Sequence, residues 1–271
     1  MQGPANVILR QTCKLDRGAG CSQFVPLITI IIKFYGVFMK TKAQLFCAWC
    51  GVAFLVLFSI GWWFIAGYIP PMSPAMSASE VAAFYQQNTG LIRLGMVITM
   101  FSAALSAPWV AAIAVQLRRI EGDFPALTYA LLVAGAVGVV VLVVPPMVWT
   151  TAAFRPERDP ELIMLLNDFA WLFFIMTFSP FFIQNLVIGL AVFGDKSEAP
   201  VFPRWVAYFN IWVAILLIPG GLITFFKTGP FAWDGILAFW LPFAAFFGWF
   251  VVMFPLLLKA IKQQESPAEP E

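Results

Sequence analysis

The sequence contains no histidine, which removes the commonest general base, the commonest metal ligand and the usual axial ligand of membrane haem proteins. This absence argues against membrane cytochromes with paired histidine ligands, histidine-box di-iron enzymes and histidine-dependent hydrolases. A membrane enzyme would have to rely on Asp168, Arg93, Cys47 and Cys50. We therefore expect a protein that is not an enzyme and that has no cofactor and no metal site.

Charged residues are also scarce. They make up 11% of the chain, against 61% hydrophobic residues, and the mean hydropathy is +0.87. No polar stretch is long enough to fold as a separate water-soluble domain, so the lipid bilayer is the natural surrounding of this chain. The net charge is only +2, and the basic residues form no dense stripe. These features argue against nucleic acid as a partner.

The long hydrophobic runs predict the fold class, which is an all-α polytopic transmembrane helix bundle of about six spans. Each run is long enough to cross roughly 30 Å of hydrocarbon as a helix. The predicted spans are 45–69, 91–117, 127–149, 171–193, 206–226 and 236–258. Together they form a single six-span membrane domain, predicted at 39–262.

Residues 1–38 differ from the rest of the chain and are predicted to be an N-terminal extension. Met39-Lys40-Thr41-Lys42 is a short basic segment directly before a long apolar run, as expected of a fresh start at Met39. Two interpretations stay open, because residues 1–38 are either an over-extended gene start or an interfacial cytoplasmic tail. At the other end, 263–271 is predicted to be a polar tail.

Basic residues are divided unequally between alternate loops, and this predicts the orientation in the membrane. Eight lie on one side, namely Lys40, Lys42, Arg118, Arg119, Lys196, Arg204, Lys259 and Lys262, and four on the other, namely Arg93, Arg155, Arg158 and Lys227. The first side is predicted to be cytoplasmic, with both termini there, in a bacterial inner (plasma) membrane. Five tryptophans near the opposite span ends are expected to mark the outer interface: Trp62, Trp63, Trp149, Trp171 and Trp233.

Two outer loops carry helix-start signals. Ser77 and Glu80 have the spacing of a capping box, and Asn88-Thr89-Gly90 supplies a stop, which predicts a short outer-face helix near 78–87. Asp159-Pro160-Glu161 combines a capping acid with a proline at the first helical position. It predicts an outer-face helix near 160–168 that leads into the fourth span.

Prolines and glycines inside the spans predict breaks or kinks at Ser179-Pro180, at Pro145-Pro146 and at Pro219-Gly220-Gly221. Small residues recur at intervals of four in the third span, at Ala130, Ala134 and Gly138. Such residues let helix backbones approach closely, so the second and third spans are expected to form a tight hairpin.

Four polar amides inside the spans are the candidate site. Gln184 and Asn185 follow the predicted kink of the fourth span, Asn210 lies in the fifth, and Gln116 lies toward the inner end of the second. Because amides in hydrocarbon need partners, they are expected to face the bundle interior. They either line a polar pocket that opens to the cytoplasmic side or hold neighbouring helices together.

Arg93 and Asp168 lie just inside the outer boundary, at the starts of the second and fourth spans, where an unpaired charge is costly. The sequence predicts an outer-face ion pair between them. This pair would be a gate or proton-coupling site, or it would be a structural clamp or two snorkelling groups.

Cys47-Ala48-Trp49-Cys50 places two thiols on one helical face at the cytoplasmic end of the first span. No second such pair and no histidine complete a zinc site. The two cysteines are either a redox or metal pair or apolar filler. The missing zinc ligands and the reducing cytoplasm favour filler.

Aromatic residues reach 17% of the chain, with 29 phenylalanines. They either line a route for an apolar or flat molecule or fill space between helices and lipid. The function favoured by these patterns is a transporter-like or lipid- or apolar-solute-handling protein, with the bilayer and a small apolar solute as partners. The alternative is a non-catalytic accessory or structural subunit with a membrane protein partner.

Overall fold

The computed structural model describes residues 41–264, and within this range it confirms an all-α bundle with six helices able to span a membrane. No strand occurs in this described range. The helices are α1 (Thr41–Ile65), α2 (Ala78–Glu121), α3 (Ala126–Phe154), α4 (Pro160–Met176) with α5 (Ser179–Gly194), α6 (Trp205–Phe225) and α7 (Ile236–Gln263). The predicted extension 1–38, the start at Met39 and most of the tail 263–271 lie outside the described residues.

The predicted helix start at Ser77 is confirmed. The Ser77 side chain accepts from the backbone N–H of Glu80 at 3.4 Å, and the Glu80 carboxylate accepts from the backbone N–H of Ser77 at 2.7 Å. The predicted stop is wrong, because α2 continues without interruption for 44 residues. The side chains of Asn88 and Thr89 bond carbonyls four residues back in the same helix, and one glycine costs a helix only about 1 kcal/mol.

The start of α4 is also confirmed. The Asp159 carboxylate accepts from the backbone N–H of Glu161 at 2.9 Å, and Pro160 occupies the first helical position. The helix then runs on to Met176, so the segment near 160–168 is the first part of a longer helix. A capping acid and a proline therefore sufficed to locate this boundary.

Two of the three predicted breaks are present. Thr177 and Phe178 are non-helical and separate α4 from α5, directly before Pro180. In α6 the segment Ile218–Phe225, which contains Pro219, is a 3-10 helix. At Pro145-Pro146, in contrast, α3 remains helical throughout. A proline inside a helix removes one hydrogen bond without necessarily ending it.

The predicted hairpin of the second and third spans is confirmed, since α2 and α3 make the most extensive helix–helix contact of the described bundle. One close approach lies next to Ala134 of the predicted stripe, because a Cβ on Gly135 would lie 2.6 Å from Cγ1 of Val110. The link between the helices is held by Glu121, whose carboxylate accepts from the backbone N–H groups of Leu127 and Thr128 at 2.8 and 2.7 Å.

Helices α1 and α2 cross at two glycines. A Cβ on Gly61 would lie 2.5 Å from the carbonyl oxygen of Gly95, and a Cβ on Gly95 would collide with the Gly61 carbonyl. The helix α1 ends in a π-helical turn, Ser59–Ile65, at this crossing. Only residues without a side chain allow the two backbones to approach this closely.

The tryptophans expected at the outer interface form an internal cluster instead. Trp62, Trp149 and Trp171 are at most 1% exposed, and their ring centroids lie 5.2 to 6.3 Å apart. Trp233 is 6% exposed and stacks on Trp171. These four rings therefore pack against one another inside the bundle and not on its surface, where an interfacial tryptophan would contact the headgroups.

The link between α5 and α6 is organised by Asp195. Its carboxylate accepts from the hydroxyl and the backbone N–H of Ser197 at 2.6 and 3.0 Å and from the backbone N–H of Val201 at 2.9 Å. Partial burial opposes its ionisation, but these hydrogen bonds outweigh burial and lower the pKa of Asp195 below its usual value. The loop is thus ordered around an ionised carboxylate.

Candidate functional site

A cavity of about 160 Å³ lies inside the bundle where three helices depart from regular α-helical geometry. Thr177 and Phe178 border it from the break between α4 and α5. Gly220 contributes from the 3-10 segment of α6, and Ala238 from the π-helical first turn of α7, Ile236–Trp240. The irregular segments thus border one space, which residues of α1, α2 and α3 also line.

Aromatic residues form a large part of the cavity wall. Phe181 of α5 packs against Phe246 and Trp249 of α7, with ring centroids 5.0 and 5.2 Å apart. Trp109 of α2 lies against Phe250 of α7 at 5.3 Å. None of the described residues that line the cavity is Asp, Glu, Lys or Arg. The wall therefore offers flat apolar surfaces and no charge.

Five side chains of this wall carry a polar atom: Gln184, Ser106, Thr177, Trp109 and Trp249. Gln184 is 5% exposed, and its Nε2 lies 3.2 Å from the position that a Cβ would take at Gly138. Among residues 41–264 its amide forms no hydrogen bond, and its polar atoms, unlike Oδ1 of Asn185, are not fully enclosed by protein. The Ser106 hydroxyl, in contrast, donates to the carbonyl oxygen of Ala103 at 2.6 Å.

Gln116 lies elsewhere, in a cluster of glutamines at the end of the bundle where α1 begins and α2 and α7 end. Its Nε2 donates to Oε1 of Gln44 at 2.6 Å, and its Oε1 accepts from Gln264 at 2.9 Å and from Arg119 at 2.6 Å. Because Gln116 is fully buried, these bonds satisfy an amide that would otherwise be costly. The cluster ties three helix ends together.

The two asparagines are also separate from the cavity wall. The Nδ2 of Asn210 donates to the Val206 carbonyl at 2.8 Å, and its Oδ1 accepts from Nε1 of Trp249 at 2.8 Å. Asn185 donates to the carbonyl of Phe181 at 2.9 Å within its own helix. The structure therefore does not bring the four predicted amides into one pocket, and of the four only Gln184 lines the cavity.

The predicted ion pair of Arg93 and Asp168 is replaced by another contact. Arg93 donates to the carbonyl oxygens of Ala153 and Phe154 at 3.1 and 2.8 Å. In the part of the chain that the structure describes, no salt bridge joins Arg93 to Asp168. The last carbonyls of α3 have no partner within their own helix, and Arg93 lies on the neighbouring helix where it can satisfy them.

A buried chain of hydrogen bonds that sequence reasoning missed links three elements near Asp168. The Tyr68 hydroxyl donates to the Tyr85 hydroxyl at 3.0 Å, which donates to Oδ1 of Asn167 at 3.0 Å. Burial raises the pKa of Tyr68 well above its usual value, so its hydroxyl stays protonated. No periodic signal joins these residues, because they come from a loop, α2 and α4.

Cys47 and Cys50 are free thiols on α1, the first partly buried and the second buried. Within residues 41–264 no group of three or more cysteine, aspartate or glutamate side chains is arranged to hold a metal ion. The cavity beside Gln184 thus remains the feature of the described bundle that is best suited to a ligand.

Comparisons with protein-family models, with curated proteins and with solved structures find no match to this chain.

Proposed function

We propose that this protein binds a small apolar molecule, or the apolar part of a lipid, in the cavity and handles it within the membrane. The observation that supports this proposal is the cavity itself, walled by aromatic rings and formed where α4–α5, α6 and α7 are irregular. Broken helices recur at the solute-binding sites of membrane transporters, which favours transport or lipid handling over a purely structural role.

The size of the cavity suits a small ligand. An apolar cavity of about 150 Å³ in a soluble protein is large enough to bind benzene. At about 160 Å³, this cavity accommodates one ring or a short hydrocarbon segment. Aromatic walls add favourable ring contacts, with stacked or edge-to-face pairs each contributing about 0.5–1.5 kcal/mol beyond burial. A flat, unsaturated ligand fits these walls best.

The position of the partly exposed lining residues supports entry of the ligand from the surrounding hydrocarbon, between the helices. Val141 of α3, Phe178 and Phe247 of α7 line the cavity and keep part of their surface accessible. All three lie near the middle of their spans. An apolar molecule dissolved in the hydrocarbon would reach the cavity at this depth without crossing the headgroups.

Retention of a small molecule during purification tests this proposal. The tagged protein is purified in mild detergent, and the molecules that accompany it are identified by mass spectrometry. The variant Gly138→Leu places a bulky side chain beside Gln184, inside the cavity. We expect wild type to retain an apolar compound, and we expect the amount retained by Gly138→Leu to be at least tenfold lower, because the added side chain occupies the place of the compound.

Gly248→Leu is the matched control, because it makes the same change on α7 where nothing lies within 4 Å of the added Cβ. It should retain the compound as wild type does. Val141→Phe provides a second way of filling the cavity if Gly138→Leu unfolds in detergent. Equal retention by all variants, or a stoichiometric protein partner with no retained compound, would contradict the proposal. The latter result would favour the accessory-subunit interpretation.

A further inference from the structure

We infer that the ligand of this cavity is a neutral, flat molecule carrying one oxygen atom, a carbonyl or a hydroxyl, which pairs with the amide of Gln184. This inference rests on the proposed function, since it assumes that the cavity holds a ligand. It makes Gln184 the residue that determines specificity, because an apolar cavity by itself selects only for size.

Among the buried amides of the described bundle, Gln184 is the one with no hydrogen bond at either end. Oδ1 of Asn185 is also unpaired, but its NH₂ group donates within its own helix. Gln116 and Asn210 use both ends of their amides in bonds to other residues. Gln184 as a residue is 5% exposed, and its amide forms no hydrogen bond among the described residues. An unpaired amide away from water is costly, so a ligand that pairs with it gains affinity.

The amide is also the only side-chain amide along the described cavity wall, and Nε1 of Trp109, which likewise has no partner, is fully enclosed by protein atoms. The hydroxyl proton of Ser106 is committed to Ala103, and Nε1 of Trp249 is committed to Asn210. Gln184 lines the cavity beside Gly138, and aromatic rings of α7 line the same cavity. A ligand with its ring among these aromatic residues would therefore direct a single polar atom toward Gln184.

The absence of charge along the described wall sets the charge of the ligand. No acidic or basic side chain is available there to pair with an ionised group. Burial of an unpaired charge in such surroundings is strongly unfavourable. The amide has both N–H donors and a carbonyl acceptor, so it accommodates either a ketone or an alcohol. Neutral oxygen-containing rings are thus favoured over amines and carboxylates.

Three probes of nearly equal shape test the inference: ethylbenzene, acetophenone and α-methylbenzyl alcohol, each as its para-fluoro derivative. Their binding to the full-length protein in lipid nanodiscs is measured by fluorine NMR. Wild type is expected to bind an oxygen-containing probe roughly three- to tenfold more tightly than ethylbenzene, because this is the gain in affinity that one neutral hydrogen bond provides. Comparison of the ketone with the alcohol shows which oxygen the site prefers.

Gln184→Met keeps the length of the side chain and removes the amide, and Gln184→Leu is a second variant should the first be poorly folded. Both should lose the preference for oxygen while ethylbenzene binding stays within twofold. Ser106→Ala is the control and should keep the preference. If wild type shows no preference, or if the preference survives in both Gln184 variants, the inference is overturned while the proposed function stands. If no probe binds wild type, or if Gly138→Leu binds the probes as tightly as wild type does, both the inference and the proposed function are overturned.

Discussion

At the scale of single residues, the buried polar atoms of the described bundle differ in whether they have a hydrogen-bond partner. Asn210 of α6 and Trp249 of α7 are at most 1% exposed, and the indole N–H donates to the asparagine Oδ1 at 2.8 Å. Trp109 is equally buried, but its Nε1 has no partner among the described residues. Two tryptophans in the same wall thus differ in one hydrogen bond.

This difference predicts the outcome of two similar substitutions. Trp249→Phe leaves Oδ1 of Asn210 buried and unpaired, which costs about 1–3 kcal/mol in addition to the lost ring volume. Trp109→Phe removes similar volume but leaves no acceptor unpaired. Thermal unfolding in detergent should therefore show a larger destabilisation for Trp249→Phe. Equal losses would contradict the importance of the hydrogen bond, and Asn210→Leu combined with Trp249→Phe should restore part of the stability.

At the scale of helices, the crossing of α1 and α2 depends on two glycines. Both added Cβ atoms would meet backbone atoms of the partner helix, and backbone cannot move aside as a flexible side chain does. Gly90 lies on the same helix α2, with nothing within 4 Å of an added Cβ. The same substitution therefore has opposite expected effects at two positions of one helix.

Gly95→Ala is expected to destabilise the protein by about 1–3 kcal/mol, because the added methyl forces the two helices apart. Gly90→Ala is expected to stabilise it by roughly 0.5–1 kcal/mol, because alanine is the better helix former. The unfolding temperatures of the two variants should lie on opposite sides of wild type at the same scan rate. A Gly95→Ala variant as stable as wild type would rule out the close crossing.

At the scale of the whole molecule, six spans place the start of α1 and the end of α7 on the same side of the membrane. The sequence-based orientation, with both ends cytoplasmic, stays a prediction. The tryptophans do not support it, since four of the five are buried in the bundle. The unequal distribution of lysine and arginine is the remaining argument.

Cysteine labelling tests this orientation. Glu157→Cys, before α4, and Lys196→Cys, between α5 and α6, are introduced singly after the four native cysteines are replaced. Both positions are exposed. With a membrane-impermeant maleimide, Glu157→Cys should be labelled in intact host cells and Lys196→Cys only after lysis. The reverse pattern would invert the orientation, and labelling of both from outside would contradict the arrangement of spans.

The cavity shows how far sequence reasoning reached toward the candidate site. Pro180 and Pro219-Gly220-Gly221 correctly indicated irregular segments in the fourth and fifth spans. Gln184 was singled out because an amide in hydrocarbon needs a partner. That these segments and this amide surround one space with α2, α3 and α7 could not be predicted, because hydropathy carries no information on which helix faces which.

The sequence by itself determined the class of the protein, its spans and several helix ends. Hydrocarbon provides no hydrogen-bond partner for the backbone, so each long apolar run must form a helix, and capping by Ser77 or Asp159 acts over a few residues. Only the tertiary structure decided that Arg93 meets the end of α3, that the tryptophans cluster inside, and that Gln184 faces a cavity. These outcomes depend on contacts between residues that are far apart in the chain. Such contacts are determined by how all the helices pack together.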